Sequence, residues 1–140
     1  MNYILDTCVI SELVKPAPHK AVVDWIETQL EDSLYLSVIT IGEIQKGISK
    51  LSASSKKTRL QAWLDHELKD RFEGRILSID ETIAKEWGRI QALAEKSGNK
   101  IPVIDSMIAA IGFFHKMTIV TRNIDDMRIP GLALLNPWDF

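Results

Sequence analysis

The chain has one cysteine, Cys8, so no internal disulfide can form and nothing points to an oxidising compartment. It has no long apolar run. The most apolar stretches, Leu34 to Ile44 and Met107 to Phe114, fall well short of the roughly 20 residues that a membrane span needs. Its opening, Met1 to Asp6, lacks a basic segment and stops being apolar at Asp6, unlike a signal peptide. An excess of basic charge is missing too. Lys and Arg number 17 against 19 Asp and Glu, a formal net charge of −2. A protein that grips nucleic acid through a broad basic surface usually has a domain pI above about 9, and that class is excluded. An enzyme that touches nucleic acid at one local site is not. The seven glycines are dispersed, so there is no glycine-rich phosphate loop, and no internal repeat or low-complexity tract appears. What remains is ordinary globular composition, 46% hydrophobic and 26% charged in 140 residues. The expectation is a soluble, cytoplasmic chain folding as one domain over residues 1–140, with no membrane partner.

Short apolar runs alternate with helical periodicity. Asn2 to Leu5 fits a buried strand closed by Asp6. Val9 to Val14 predicts a brief helix that must end before Pro16, because the residue preceding proline is pushed out of the α region. His19 to Leu30 carries Val22, Val23, Ile26 and Leu30 at helical spacing. Leu34 to Val38 is the next strand, followed by a helix with Ile41, Ile44, Ile48 and Leu51 on one face. Lys56 to Phe72 predicts one amphipathic helix with Leu60, Trp63, Leu64 and Leu68 inward. Arg75 to Ile79 reads as a strand, and Asp80 opens a helix that runs to Lys96 and ends at Ser97-Gly98-Asn99. A loop through Pro102 leads to Asp105, and the helix from Met107 to Phe114 is apolar all round, which predicts burial on most sides. Thr118 to Val120 and Leu132 to Leu135 are the last strands. Strands alternating with helices predict an α/β fold, a three-layer α/β/α sandwich on a mainly parallel sheet.

Ligands of such sheets collect at the carboxyl ends of the strands, and acidic or amide groups from four separated segments fall there. Each has an ordinary reading. Asp6 can cap the helix after it, Asp105 can cap the apolar helix, Glu43 can be a solvated edge residue, and Asn123 to Asp126 can be a turn. Together they read differently. Close carboxylates repel by about 4 kcal/mol at 4 Å in an effective dielectric near 20, so such a cluster either protonates or binds a cation. Oxygen-only ligands suit Mg²⁺ or Mn²⁺, and the three histidines are too scattered to hold zinc. Carboxylates holding one or two such ions fit phosphodiester hydrolysis. Lys46 and Lys50 lie on the helix stripe of Glu43, and Arg122 adjoins Asn123, so Lys50 and Arg122 are candidates for the substrate's phosphates.

Leu5-Asp6-Thr7-Cys8-Val9-Ile10-Ser11-Glu12-Leu13 resembles the opening of PIN-domain ribonucleases, in particular the VapC and FitB-like toxins of type II toxin–antitoxin systems. Gly42-Glu43-Ile44-Gln45-Lys46-Gly47-Ile48 is similar to their second motif, and Pro102-Val103-Ile104-Asp105-Ser106-Met107-Ile108-Ala109-Ala110 to their third. Val120-Thr121-Arg122-Asn123 with Asp126, then Leu134-Leu135-Asn136-Pro137-Trp138, is similar to the family's end, so the resemblance spans the chain. It implies a metal site of Asp6, Glu43 and Asp105 completed by Asn123 and Asp126, with Mg²⁺ or Mn²⁺ as cofactor. It also implies RNA as substrate, cut to leave a 3′-hydroxyl and a 5′-phosphate. Thr7, Ser11 and Thr121 match positions that support the site by hydrogen bonding. A cognate antitoxin and a second copy in a homodimer are the implied partners.

Two departures matter. Cys8 stands where the family usually carries Asn or another small polar residue. Asn123 stands where some members carry a fourth acid, a charge Asp126 can supply. They favour a second reading, a PIN-like module that binds RNA or a partner protein without cutting. A third is a metal-dependent phosphatase acting on small molecules.

Overall fold

The computed structural model describes residues 1–140. In chain order the elements are β1 (Tyr3–Leu5), α1 (Thr7–Leu13), α2 (Lys20–Glu27), β2 (Leu34–Ser37), α3 (Val38–Ser49), α4 (Ser55–Ala62) and α5 (Lys69–Arg71). They continue with β3 (Ile76–Leu77), α6 (Glu81–Lys96), α7 (Val103–His115), β4 (Thr118–Val120) and β5 (Leu134–Leu135). The strands form one parallel sheet in the order β3-β2-β1-β4-β5. No helix is long and apolar enough to cross a membrane.

The period-two alternation of strand side chains builds the layers. Leu5 and Val120 point into one buried cluster with Val9, Trp25, Leu34, Leu36, Ile48, Leu64 and Phe72, the face covered by α1 to α5. Their neighbours Ile4 and Ile119 point into the other, with Ile83, Ile90, Ile108, Ile111 and Met127, the face covered by α6 and α7. The chain is therefore an α/β sandwich with a parallel sheet between helical layers. Helix α7 lies close on the sheet because residue 112 is glycine: a Cβ there would collide with the Ile119 side chain.

Several boundaries differ from the sequence expectation. The helix foreseen over Lys56 to Phe72 is interrupted by a π-helical segment at Trp63–Leu68. The strand foreseen over Arg75 to Ile79 keeps only Ile76–Leu77, and that over Leu132 to Leu135 only Leu134–Leu135. Helix α7 begins at Val103, so Asp105 lies inside its first turn and does not cap it; Pro102 holds the cap position, with no side-chain cap bond. Burial of α7 is also incomplete. Residues Ile108 to Gly112 are inside, but Val103, Phe113 and Phe114 at its ends are exposed.

Strand order reverses at β1, whose neighbours β2 and β4 are reached in opposite directions along the sheet. Such a switch point opens a crevice beyond the carboxyl ends of the two strands. Here those ends are tied by the Asp6 N–H donating to the Val120 carbonyl at 2.9 Å.

Candidate functional site

Asp6 leaves β1 at the switch point and is buried, 3% exposed. Its Oδ1 accepts the Thr7 N–H at 2.8 Å, so it does stand at the cap position of α1. Its Oδ2 has other partners: the Thr121 hydroxyl donates to it at 2.7 Å, and the Cys8 thiol lies 3.7 Å away. Thr121 is fully buried and also accepts the Asn123 N–H at 2.9 Å, so one hydroxyl joins the ends of β1 and β4 and shapes the loop that follows. Burial first, and then the Asp6 charge, push the Cys8 thiol up to about 11. It is a neutral thiol at physiological pH.

Glu43 reaches the same crevice from α3. The Thr7 hydroxyl donates to its Oε1 at 2.6 Å and lies 3.1 Å from the Thr40 hydroxyl. Thr40 is fully buried, and its N–H donates to Ser37 Oγ, the N-cap of α3, at 3.2 Å. Thr40 is a site residue that the sequence reading above does not single out. The signal was the spacing of three from Ser37 to Thr40 to Glu43, which stacks the polar groups on one helical face. Ser11 is exposed and shares with Thr7, Glu43 and Lys56 a cleft of about 260 Å³ whose floor, including Ile44, Leu60 and Trp63, is apolar.

Asp105 is half-buried in the first turn of α7, and its carboxyl is pushed up to about 6. Burial is the largest cause, followed by the charges of Asp6, Asp126 and Glu43; neither a hydrogen bond nor a cation offsets them. Its turn is fixed from α6. The buried Ser106 hydroxyl donates to the Val103 carbonyl at 2.6 Å and accepts Trp87 Nε1–H at 2.9 Å and Gln91 Nε2–H at 2.6 Å. Nothing in the spacing of Trp87 and Gln91 along α6 betrays the clasp.

Asp126 sits on a short 3₁₀ turn, Ile124–Met127, anchored by the fully buried Met127. Asp125 turns away to an ion pair with Arg128 at 2.9 Å. Asn123 is exposed, as is Lys50 at the end of α3, and Lys50 does not line the cleft of Ser11 and Glu43. Arg122 is exposed, with its guanidinium 5.1 Å from the centre of the Trp138 ring.

The fold thus brings Asp6, Glu43, Asp105 and Asp126 within electrostatic reach of one another. No three acids, histidines or cysteines are drawn up as a finished coordination shell. The cluster is instead an open array of oxygen donors whose mutual repulsion is unrelieved. That chemistry fits a hard divalent cation, which would bind the charged carboxylates that the array otherwise disfavours.

The PIN domain model of known families matches residues 3–131. The chain is 36% identical over 136 residues to the VapC ribonuclease Y4jK of Sinorhizobium fredii, covering 97% of each chain. It is equally 36% identical over 135 residues to the toxin FitB of Neisseria gonorrhoeae, covering 96% of this chain and 97% of FitB. Its fold superposes on the crystal structure of FitAcB from Neisseria gonorrhoeae with a TM-score of 0.93 at 35% identity, over 99% of each chain. A family match across most of the chain, joined to relatives of this identity over nearly their full length, makes this protein a member of the PIN-domain family.

Proposed function

We propose that this protein is a divalent-cation-dependent endoribonuclease and the toxin of a type II toxin–antitoxin pair. The observation that carries the reading is Asp105, a carboxyl pushed up to about 6 by burial and three further carboxylates at the switch point, with no cation on the chain to relieve it. The relatives' names, ribonuclease and toxin, support the same reading. Its cofactor is Mg²⁺ or Mn²⁺, its substrate RNA, its regulator a cognate antitoxin, its assembly a homodimer and its compartment the cytoplasm.

Asp6 and Asp105 would hold the cation, Glu43 would hold a second ion or orient the attacking water, and Asn123 and Asp126 would complete the set. A bound Mg²⁺ or Mn²⁺ would supply a water of lowered pKa and would screen the phosphate's charge. The chain's own contribution is to aim the oxygens. Thr7 fixes one Glu43 oxygen and leaves the other free; Thr7 N–H and Thr121 fix both Asp6 oxygens in orientation. Ser11 lines the approach. Lys50 and Arg122 would meet RNA phosphates. In the reaction, water oxygen bonds to phosphorus, the bond from phosphorus to O3′ breaks, and the departing O3′ takes a proton, giving a 3′-hydroxyl and a 5′-phosphate.

The test is incubation of purified protein with single-stranded RNA. Cleavage is expected with Mg²⁺ or Mn²⁺, is abolished by chelation, and falls below about one-hundredth in Asp6→Asn and in Asp105→Asn, since losing a ligand should exceed the 10- to 100-fold effect of losing a supporting group. Absence of cleavage with either ion, or cleavage that survives both substitutions, would overturn the reading.

A further inference from the structure

We propose that Arg122, lying over the ring of Trp138, forms a binding site for an RNA phosphate beside the acid cluster, with Trp138 as its positioning residue. The inference rests on the ribonuclease reading above. It adds to that reading a residue of the C-terminal turn and a reason for its place.

The main chain at Arg122 is pinned to the crevice. Thr121 donates to Asp6, the Asn123 N–H returns to Thr121, and the Arg122 N–H itself donates to Cys8 Sγ at 3.5 Å. Of the other five arginines only Arg59 also lacks an ion pair, and Arg71 and Arg75 lie over the Phe72 ring while keeping theirs. Arg71, Arg75, Arg89 and Arg128 each pair with a carboxylate. Arg122, one residue from Thr121 and flanked by Asn123, Asp125 and Asp126, pairs with none. Its guanidinium carbon lies over the Trp138 ring, 5.1 Å from the ring centroid.

That platform comes from a separate part of the chain and is stiff. Strand β5 pairs with β4, with Val120 opposite Leu135. The Trp138 N–H donates to Asn136 Oδ1 at 2.9 Å, the Asp139 N–H to the Asn136 carbonyl at 3.2 Å, and the ring packs against the first core cluster. A cation over an aromatic face keeps its full charge, and its N–H donors lie in the guanidinium plane, pointing outward from the stack. Pairing with a carboxylate would use both charge and donors; stacking uses neither. The planar fork then matches a phosphate bidentately, which a lysine cannot reproduce. A polyanion approaching several carboxylates needs a positive group near them, and the contact with Trp138 positions an unpaired one on the loop that Thr121 ties to Asp6.

The experiment measures equilibrium binding of a fluorescein-labelled, mixed-sequence single-stranded RNA in chelator, across a salt series, alongside cleavage kinetics and thermal unfolding. Arg122→Gln should weaken binding about tenfold, the worth of one charge-assisted contact, and reduce the slope of log affinity against log salt by about 0.7. The cleavage loss should appear in KM more than in kcat. Trp138→Leu should reproduce the defect with Arg122 still present, and Trp138→Phe, which keeps a ring face, should recover most of it. Unchanged affinity and salt slope in Arg122→Gln, with only a lowered unfolding temperature, would reduce the pair to a structural staple and overturn the proposal. A wild-type protein that binds RNA in this way but never cleaves it would instead defeat the ribonuclease reading and leave the phosphate site standing.

Discussion

At the scale of the residue, Asp105 carries the largest imprint of function on this fold. Its carboxyl is pushed from 3.8 to about 6 by burial and by Asp6, Asp126 and Glu43. A native pKa above the unfolded one means that, between about pH 4 and pH 6, the native chain binds more protons than the unfolded chain. Stability therefore falls as pH rises through that window, and the full penalty stands above it. Asp105→Asn removes a charge that cannot be accommodated without a cation. In chelator at pH 7.5 the variant is expected to be more stable than the wild type by about 1 kcal/mol, the shift being discounted for the half-exposed position, or about 3 °C in unfolding temperature. The gain should be nearly gone near pH 3, where Asp105 is mostly protonated in both the native and the unfolded chain. Thermal unfolding at the two pH values checks this, and equal stability at pH 7.5 would contradict it. Adding Mn²⁺ should raise the wild type's unfolding temperature, because a ligand that binds only the native state stabilises it, and should leave Asp105→Asn unmoved.

At the scale of the element, the start of α7 shows how a helix can be placed by its neighbour. The cap position is Pro102, which offers no side chain to the orphan N–H groups. Val103 and Ile104 are β-branched, so local preference leans toward extended backbone, and the sequence expectation delayed the helix past Asp105. Trp87 and Gln91 on α6 override that preference through Ser106. Ser106→Ala takes the acceptor from the half-buried Trp87 indole and one from the Gln91 amide, which keeps its bond to the Ile101 carbonyl, and should lower unfolding stability by about 1–2 kcal/mol in urea titration. A loss under about 0.5 kcal/mol would mean the clasp is incidental, since that is the ordinary scatter of neutral surface changes. The π-helical segment was hidden for a related reason. Leu64, Leu68 and Phe72 are all buried in one cluster at a spacing of four. In a pure α-helix that spacing drifts about 40° per step, and a wider turn at Trp63–Leu68 takes up the drift. By contrast α2, α3 and the parallel sheet were legible, because helical periodicity and short apolar strands agreed there. The convergence of Asp6, Glu43 and Asp105 at one sheet edge was legible from acidic residues placed just beyond β1 and early in the helices that flank the sheet. The hydroxyl bridge from Thr40 through Thr7 was not, because it joins residues that only the folded sheet brings together.

At the scale of the molecule, the net charge of −2 conceals an uneven distribution. Leaving out Asp6, Glu43, Asp105 and Asp126 reduces the acids from 19 to 15 against 17 bases, so the remainder carries +2. The four acids are separated by most of the chain yet meet at one switch point, because β1 and β4 are adjacent while α3 and α7 approach from opposite faces of the sheet. A cation held there must tie together parts of the chain that are otherwise joined only through the core. Hydrogen exchange with and without Mn²⁺ tests this directly. Protection should rise together in residues 6–9, 40–44, 103–107 and 121–127. It should stay unchanged in α2, which contributes no acid to the crevice. The joint response follows because opening any one of these segments removes an oxygen from the same ion, so each must now be opened against the binding free energy of the whole site. Protection confined to one segment would show that the acids do not act on one ion, and that the repulsion around Asp105 is relieved in some other way.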